Sequence, residues 1–149
     1  MGKRRKAREL GMQAIFSMEV GQNLNSYQVE IFNRNFHPPQ DVREFFEKLV
    51  AGVLKNWPVI NNVIERFSSH WKLSRMAAVD RNVMRIAVYE MLFCPDIPPK
   101  VSINEAIDIG KKFGTEESGA FINGILDSIR LAIESGELKT DLVELQTNQ

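Results

Sequence analysis

The residue types that carry covalent or metal chemistry are few in this chain, and they are scattered. The two histidines, His37 and His70, stand far apart, with no cysteine or carboxylate at ligand spacing around either. A zinc-type site needs three or four such donors converging from short intervals, so no metal centre is expected. His37 reads as a loop residue beside Pro38 and Pro39, and His70 as a helix-end residue. A thiolate nucleophile at Cys94 would need a neighbouring base or cation, and its neighbours Phe93 and Pro95 supply neither, so it reads as a half-buried structural thiol. The run Gly110-Lys111-Lys112-Phe113-Gly114 lacks both the spacing of a phosphate loop and a preceding strand. It reads as a helix end with its cations near the negative pole. Glu116 and Glu117 read as first-turn residues of the next helix, favoured there by the helix dipole. No glycine-rich cofactor fingerprint occurs. No catalytic residue, metal or cofactor is therefore expected, and the chain does not read as an enzyme.

What the sequence offers instead is charge. Net charge is zero, yet Lys3, Arg4, Arg5, Lys6 and Arg8 place +5 within the first eight residues, so the remainder must sum to −5. Cations gathered at one end make a patch for a specific polyanionic partner rather than a general coat. RNA recognition needs such cations for phosphates and flat rings on which unpaired bases can stack. Arg4 and Arg8, four apart, share a helical face. A solvated basic terminus fits the same charges, and charge alone does not choose between the two. Phe16 and Phe121 are the aromatics that could add stacking, although periodicity puts both at or beside buried faces.

The elements that must position these residues are all helical. Ala7, Gly11, Ala14, Ile15 and Met18 form one face of a first helix, and Gly21 to Asn25 breaks it. Val29, Phe32 and Phe36 mark a shorter second helix ending near Pro38-Pro39. Val42, Phe45, Phe46, Leu49, Val50, Val53, Leu54 and Trp57 mark a third, starting at Gln40 or Asp41. Pro58 ends it and fits the first turn of a fourth carrying Val59, Ile60, Val63, Ile64 and Phe67. A fifth is predicted from Ser74 to about Phe93 with Met76, Val79, Val83, Ile86, Ala87 and Leu92 inward, stopping before Pro95. Ser102 and Glu105 have capping-box spacing, with Val101 and Ala106 as a hydrophobic staple, for a sixth helix ending at Phe113. Thr115 is the expected cap of a seventh, running through Phe121, Ile122, Ile125, Leu126 and Ile129 towards Gly136. About seven helices without period-2 alternation predict an all-α bundle. Residues 1–136 are expected to form one domain, and 137–149 a polar, frayed tail. The first five residues are also expected to fray, since cations oppose the dipole at a helix start.

At 149 residues with 44% hydrophobic content, the chain has enough apolar surface for a core without disulfides or metal. No apolar run approaches membrane-spanning length, and the basic start lacks the apolar segment of a signal peptide. A lone cysteine agrees with a reducing, cytoplasmic setting.

In order along the chain, several segments resemble the NusB family of bacterial transcription antitermination factors. Arg5-Lys6-Ala7-Arg8-Glu9 through Gln13-Ala14-Ile15-Phe16 is similar to its basic opening helix, and Asp80-Arg81-Asn82-Val83-Met84-Arg85-Ile86-Ala87-Val88-Tyr89-Glu90 to its central helix. Ile97-Pro98, Val101-Ser102-Ile103-Asn104-Glu105-Ala106, Lys112-Phe113-Gly114, Ser118 and Phe121-Ile122-Asn123-Gly124-Ile125-Leu126-Asp127 are the most specific matches. The resemblance covers about residues 3–133 and is weakest over 22–40. It implies two packed three-helix bundles. It also implies binding to the single-stranded boxA element of ribosomal RNA leader transcripts together with NusE, a small ribosomal subunit protein. The assembly would act on RNA polymerase in an antitermination complex that reads through terminators. By position, the implied RNA surface comprises Lys3, Arg4, Arg5, Arg8, Phe16, Glu117 and Phe121, which moves the two phenylalanines from core towards stacking. Family members mostly carry tyrosine where Phe16 stands, so a hydroxyl contact to RNA is lost here. Asp80 matches an acidic position facing NusE, where a carboxylate meets the partner's cations. Asn104 and Asn123 are expected to hydrogen-bond backbone groups and join helices. The resemblance also admits a homodimer that would cover the RNA surface.

Two other readings compete. A similar helical domain accompanies ribosomal RNA cytosine methyltransferases as a substrate-recognition module, but these 149 residues hold no nucleotide-cofactor domain. A protein-binding scaffold without RNA affinity is the third.

Overall fold

The computed structural model describes residues 2–25, 27–69 and 71–138, so the expectation for His70 and most of that for the tail lie outside the described residues. Seven α-helices and one short 3-10 turn occur among the described residues: α1 (Lys3–Gly21), α2 (Tyr27–Phe36), α3 (Gln40–Lys55), α4 (Trp57–Phe67), the turn Leu73–Arg75, α5 (Ala78–Phe93), α6 (Pro99–Phe113) and α7 (Ser118–Ser135). Helices α1, α2 and α3 pack together as one bundle. Helices α5, α6 and α7 pack mutually as the second, with α4 laid against α5 and α7. Helix α5 also touches α1 and α3, so it joins the two bundles. Its burial follows: every residue from Asn82 to Leu92 is buried, polar ones included.

The first helix begins at Lys3 and is not frayed there, because acidic residues of neighbouring elements hold its cations. Its predicted inward face, Ala7, Gly11, Ala14, Ile15 and Met18, is buried. Gln22, at φ 58°, ends it in the left-handed conformation. Helices α1 and α3 lie side by side, with Gly11 against Leu49 and both Arg4 and Arg8 over the Phe45 ring. Trp57 opens α4 instead of closing α3, since the chain turns at Asn56 and Pro58 takes the first turn of α4. Helix α3 also approaches α5 closely: a Cβ on Gly52 would stand 2.1 Å from Cε1 of Tyr89.

Three predicted helix starts are corrected. Helix α5 begins at Ala78 rather than Ser74, because Leu73–Arg75 forms a separate 3-10 turn that drops Leu73 and Met76 into the core. Helix α6 begins at Pro99, where the fixed proline φ suits the first turn and the missing N–H is harmless. Ser102 is thereby placed inside the helix, where its hydroxyl donates to Glu90 Oε1 at 2.8 Å, and Glu105 faces α1. Neither belongs to a capping box, and Val101 is exposed rather than stapled. Helix α7 begins at Ser118, not after Thr115; the Thr115 backbone N–H donates to Ser118 Oγ at 2.9 Å, so the hydroxyl closes the α6–α7 loop. Gly114 is required here, since a Cβ would meet the Gly110 carbonyl at 2.7 Å and Ser118 Oγ at 2.4 Å.

Cys94 caps α5 and is fully, not half, buried. Burial pushes its thiol above the ordinary value, the opposite of what a nucleophile needs. His37 is an exposed loop residue at φ 45°.

Candidate nucleic-acid interface

The start of α1 is where the cations gather, and neighbouring elements answer them with carboxylates. Lys3 Nζ lies 2.7 Å from Asp41 at the start of α3, and this hydrogen bond raises the ammonium pKa and lowers that of the carboxyl. Arg4 reaches Asp96, in the α5–α6 connection, at 3.7 Å. Arg5 pairs with Glu105 and, at 2.8 Å, with Asp108 on α6. Arg8 pairs with Glu90 and, at 3.3 Å, with Glu105. Four cations therefore meet five carboxylates, and the local excess of +5 read from the sequence is largely cancelled. Lys6 makes no ion pair among the described residues and is exposed.

Two classes of pairing occur. Lys3, Arg4 and their acids are exposed, and such pairs contribute little, at most about 1 kcal/mol each. Arg8 is different. It is 3% exposed, and Glu90 is 0% exposed. Arg4 and Arg8 do share a face, both over the Phe45 ring, but position 8 falls where α1 meets α5 and α6, and its guanidinium is consumed there. A second polar knot holds the far end of α1, where Glu19 accepts from Arg81 Nε at 2.9 Å, Arg85 Nη1 at 2.8 Å and Asn82 Nδ2 at 3.2 Å. Burial alone would raise the Glu19 carboxyl, but these donors hold it below the ordinary value.

A groove of about 210 Å³ lies between the 3-10 turn and the start of α7, lined by Trp71, Arg75, Met76, Ala77, Asp80, Glu117 and Phe121. Three of the predicted site residues, Asp80, Glu117 and Phe121, thus share one depression. Phe121 is half-buried and meets the ring of Trp71 edge-on, centroids 6.1 Å apart. Trp71 is 53% exposed. It was missed by sequence reasoning, and the available signal was a large ring among the polar residues Ser68, Ser69, His70 and Lys72. Glu117 is exposed at the N-cap position of α7. Asp80 is 7% exposed, and its Oδ1 has no hydrogen-bond partner among the described residues.

Phe16 is half-buried on α1. Helices α1 and α6 keep a constant offset: Arg5 pairs with Asp108 and Glu9 with Lys112, both 103 positions apart. The predicted residues therefore fall into two groups, Lys3, Arg4 and Arg5 around the start of α1 and Glu117, Phe121 and Asp80 in the groove, while Phe16 lies further along α1 and lines neither. Asn104 and Asn123 do not join helices; both are exposed and donate no side-chain hydrogen bond among the described residues, because Ser102, Glu105 and Gly110 already occupy the interhelical faces. The described residues contain no cluster of metal-ligating side chains, and no described helix is long and apolar enough to cross a membrane.

A profile described as NusB family matches residues 5–130. The transcription antitermination protein NusB of Desulfatibacillum aliphaticivorans is 56% identical over 137 residues, covering 92% of this chain and 96% of its own. That of Desulforapulum autotrophicum is 50% identical over 141 residues, covering 92% and 99%. Among solved structures, T. maritima NusB is similar with a TM-score of 0.77 at 38% identity, over 85% of this chain and 89% of that one. A crystal structure of antitermination factors NusB and NusE in complex with dsRNA is similar with a TM-score of 0.79 at 25% identity, over 89% and 98%. A family match over most of the chain, relatives of nearly equal length and a shared all-helical fold have one conclusion: this chain belongs to the NusB family.

Proposed function

We propose that this protein binds the boxA element of ribosomal RNA leader transcripts together with NusE, and that the assembly lets RNA polymerase read through terminators. The observation that carries the reading is the start of α1, where Lys3 and Arg4 are held by exposed acids in pairs weak enough for phosphates to replace. The likeness to a solved NusB–NusE–RNA complex supports the choice of partners.

In this reading Lys3, Arg4 and Arg5 contact phosphates. Phe16 and Phe121 stack on unpaired bases, and Glu117 accepts hydrogen bonds from base amino groups. Arg8 acts by positioning α1 rather than by touching RNA, given its burial. Asp80 receives a cation of NusE at the edge of the groove, where its unpartnered oxygen would gain a donor. Residues 1–136 work as one RNA-binding unit, and a homodimer formed through the α1 face would compete with RNA.

Fluorescence-anisotropy titration of boxA RNA, with and without NusE, tests the proposal. Salt-sensitive RNA binding that tightens at least tenfold with NusE is expected. Binding to NusE without any gain in RNA affinity would overturn it in favour of a protein scaffold.

A further inference from the structure

The ion-pair network changes which cations are available to a polyanion. Arg8 is committed inward and Arg5 is shared with two acids of α6, while Lys6 is exposed and makes no ion pair among the described residues. Next to Lys6 on the α6 side stands Lys112, whose Nζ lies 3.1 Å from Glu9 Oε2. That pair is lopsided: the Lys112 side chain is 60% exposed and the Glu9 side chain 8%. Glu9 is thus a fixed anchor that orients an ammonium still open to solvent. Lys6, Lys112, Arg5, Glu9 and Gly2 line one open depression of about 360 Å³. Beyond it, the stem of Lys111 lies on the start of α7: a Cβ on Gly119 would stand 2.7 Å from Lys111 Cε. Both Lys111 and Lys112 are in the last turn of α6, where the free carbonyls favour cations and hold them without neutralising them.

We infer that Lys6, Lys112 and Lys111 form a phosphate-binding strip that carries the backbone of a single-stranded RNA from the start of α1 across the end of α6 to the start of α7. The inference rests on the RNA-binding reading above and moves much of its electrostatic work from the arginines of α1 to lysines of two helices. Three compact ammonium groups on flexible stems can bind phosphates as point charges, without the bidentate geometry that arginine supplies.

The test is the salt dependence of binding between the full-length protein and a fluorescein-labelled boxA RNA. Each phosphate contact to a single strand contributes about 0.7 to the slope of log affinity against log salt. Lys6→Ala/Lys112→Ala should therefore flatten the slope by about 1.4, and Lys111→Ala by about 0.7. At 0.15 M salt the double variant should bind about tenfold more weakly. Lys112→Arg should keep the wild-type slope. Lys55→Ala, which removes the same charge at the far end of α3, should also leave it unchanged. Lys6, Lys111 and Lys55 are exposed and make no ion pair among the described residues, so their alanine variants should melt as the wild type, whereas Lys112→Ala leaves the buried Glu9 without its partner and should melt lower, a loss that Lys112→Arg avoids. Unchanged slopes in Lys6→Ala/Lys112→Ala, alongside a flattened slope in Lys3→Ala/Arg4→Ala, would overturn the strip and leave the proposed function standing. A wild-type protein that binds no RNA, with or without NusE, would overturn both.

Discussion

Arg8 and Glu90 meet inside the molecule as a two-point ion pair, Nε to Oε2 at 2.7 Å and Nη2 to Oε1 at 2.8 Å. The Ser102 hydroxyl adds a third donor to the same carboxylate at 2.8 Å. One carboxylate thus ties α1, α5 and α6 together at the base of the cationic region. Removing one member of such a pair leaves a buried charge without compensation, at a cost of about 3–5 kcal/mol. Arg8→Ala and Glu90→Ala should each lower the urea midpoint strongly with little change in m-value. The apolar double Arg8→Met/Glu90→Leu should cost much less than either single change. In that double variant the salt slope of RNA binding should equal the wild-type slope. A flattened slope would show that Arg8 reaches phosphate after all.

Glu19 supplies the pH dependence. Its donors Arg85, Arg81 and Asn82 outweigh burial and depress the folded-state pKa. A depressed carboxyl contributes stability that is present above its unfolded pKa, about 4.3, and lost as pH falls through the folded value. Glu19→Gln should therefore lower stability at pH 7 and lose less on acidification, so that the two denaturation curves converge as pH falls through the folded value. Curves that stay parallel from pH 7 to pH 3 would remove Glu19 from the acid limb.

The glycines of α3 and α7 should respond in opposite directions. A Cβ on Gly52 would enter the Tyr89 ring, which is stacked on Phe93 at 5.3 Å and has little room to retreat. Gly52→Ala should destabilise by about 1–3 kcal/mol, the range for overpacking. Gly124 has nothing within 4 Å of its added Cβ, and alanine there should stabilise α7 by up to about 1 kcal/mol. Thermal melts of the two variants measure both, and a neutral Gly52→Ala would mean that α3 and α5 can separate freely.

Helices were legible in the sequence wherever apolar spacing governed them. The inward face of α1 and that of α3 through Val53 are those predicted by periodicity, because burial of a stripe is a local property of the helix. Starts were less legible. Ser102 and Glu105 have the spacing of a cap, yet each is recruited by a residue distant in sequence, Glu90 and Arg5, which no local pattern reveals. The same limitation applies to charge. The run from Lys3 to Arg8 reads as +5, while Asp41, Glu90, Asp96, Glu105 and Asp108, which cancel most of it, are spread over α3, α5, the α5–α6 connection and α6. Trp71 was overlooked for a related reason: it belongs to no helix, and its meaning comes from lying beside Phe121 in space.

That edge-on pair supports the last prediction. Trp71 presents an exposed face at the mouth of the groove, and Phe121 presents part of its ring below. Stacking of an unpaired base on an aromatic side chain contributes about 1–3 kcal/mol, so Phe121→Ala should weaken boxA RNA binding by about 5- to 150-fold. Trp71→Ala should weaken it by a similar or smaller factor, since a base resting on Phe121 extends over the indole. Neither change removes a cation, so the salt slope should stay at the wild-type value while affinity falls. Phe121→Tyr should retain affinity because the π-face is kept. Replacement by leucine, which preserves apolar bulk without a flat ring, separates stacking from packing: Phe121→Leu should melt near the wild-type temperature yet bind RNA as poorly as Phe121→Ala. Wild-type RNA affinity in Phe121→Leu would return this residue to the core and leave the groove to the protein partner.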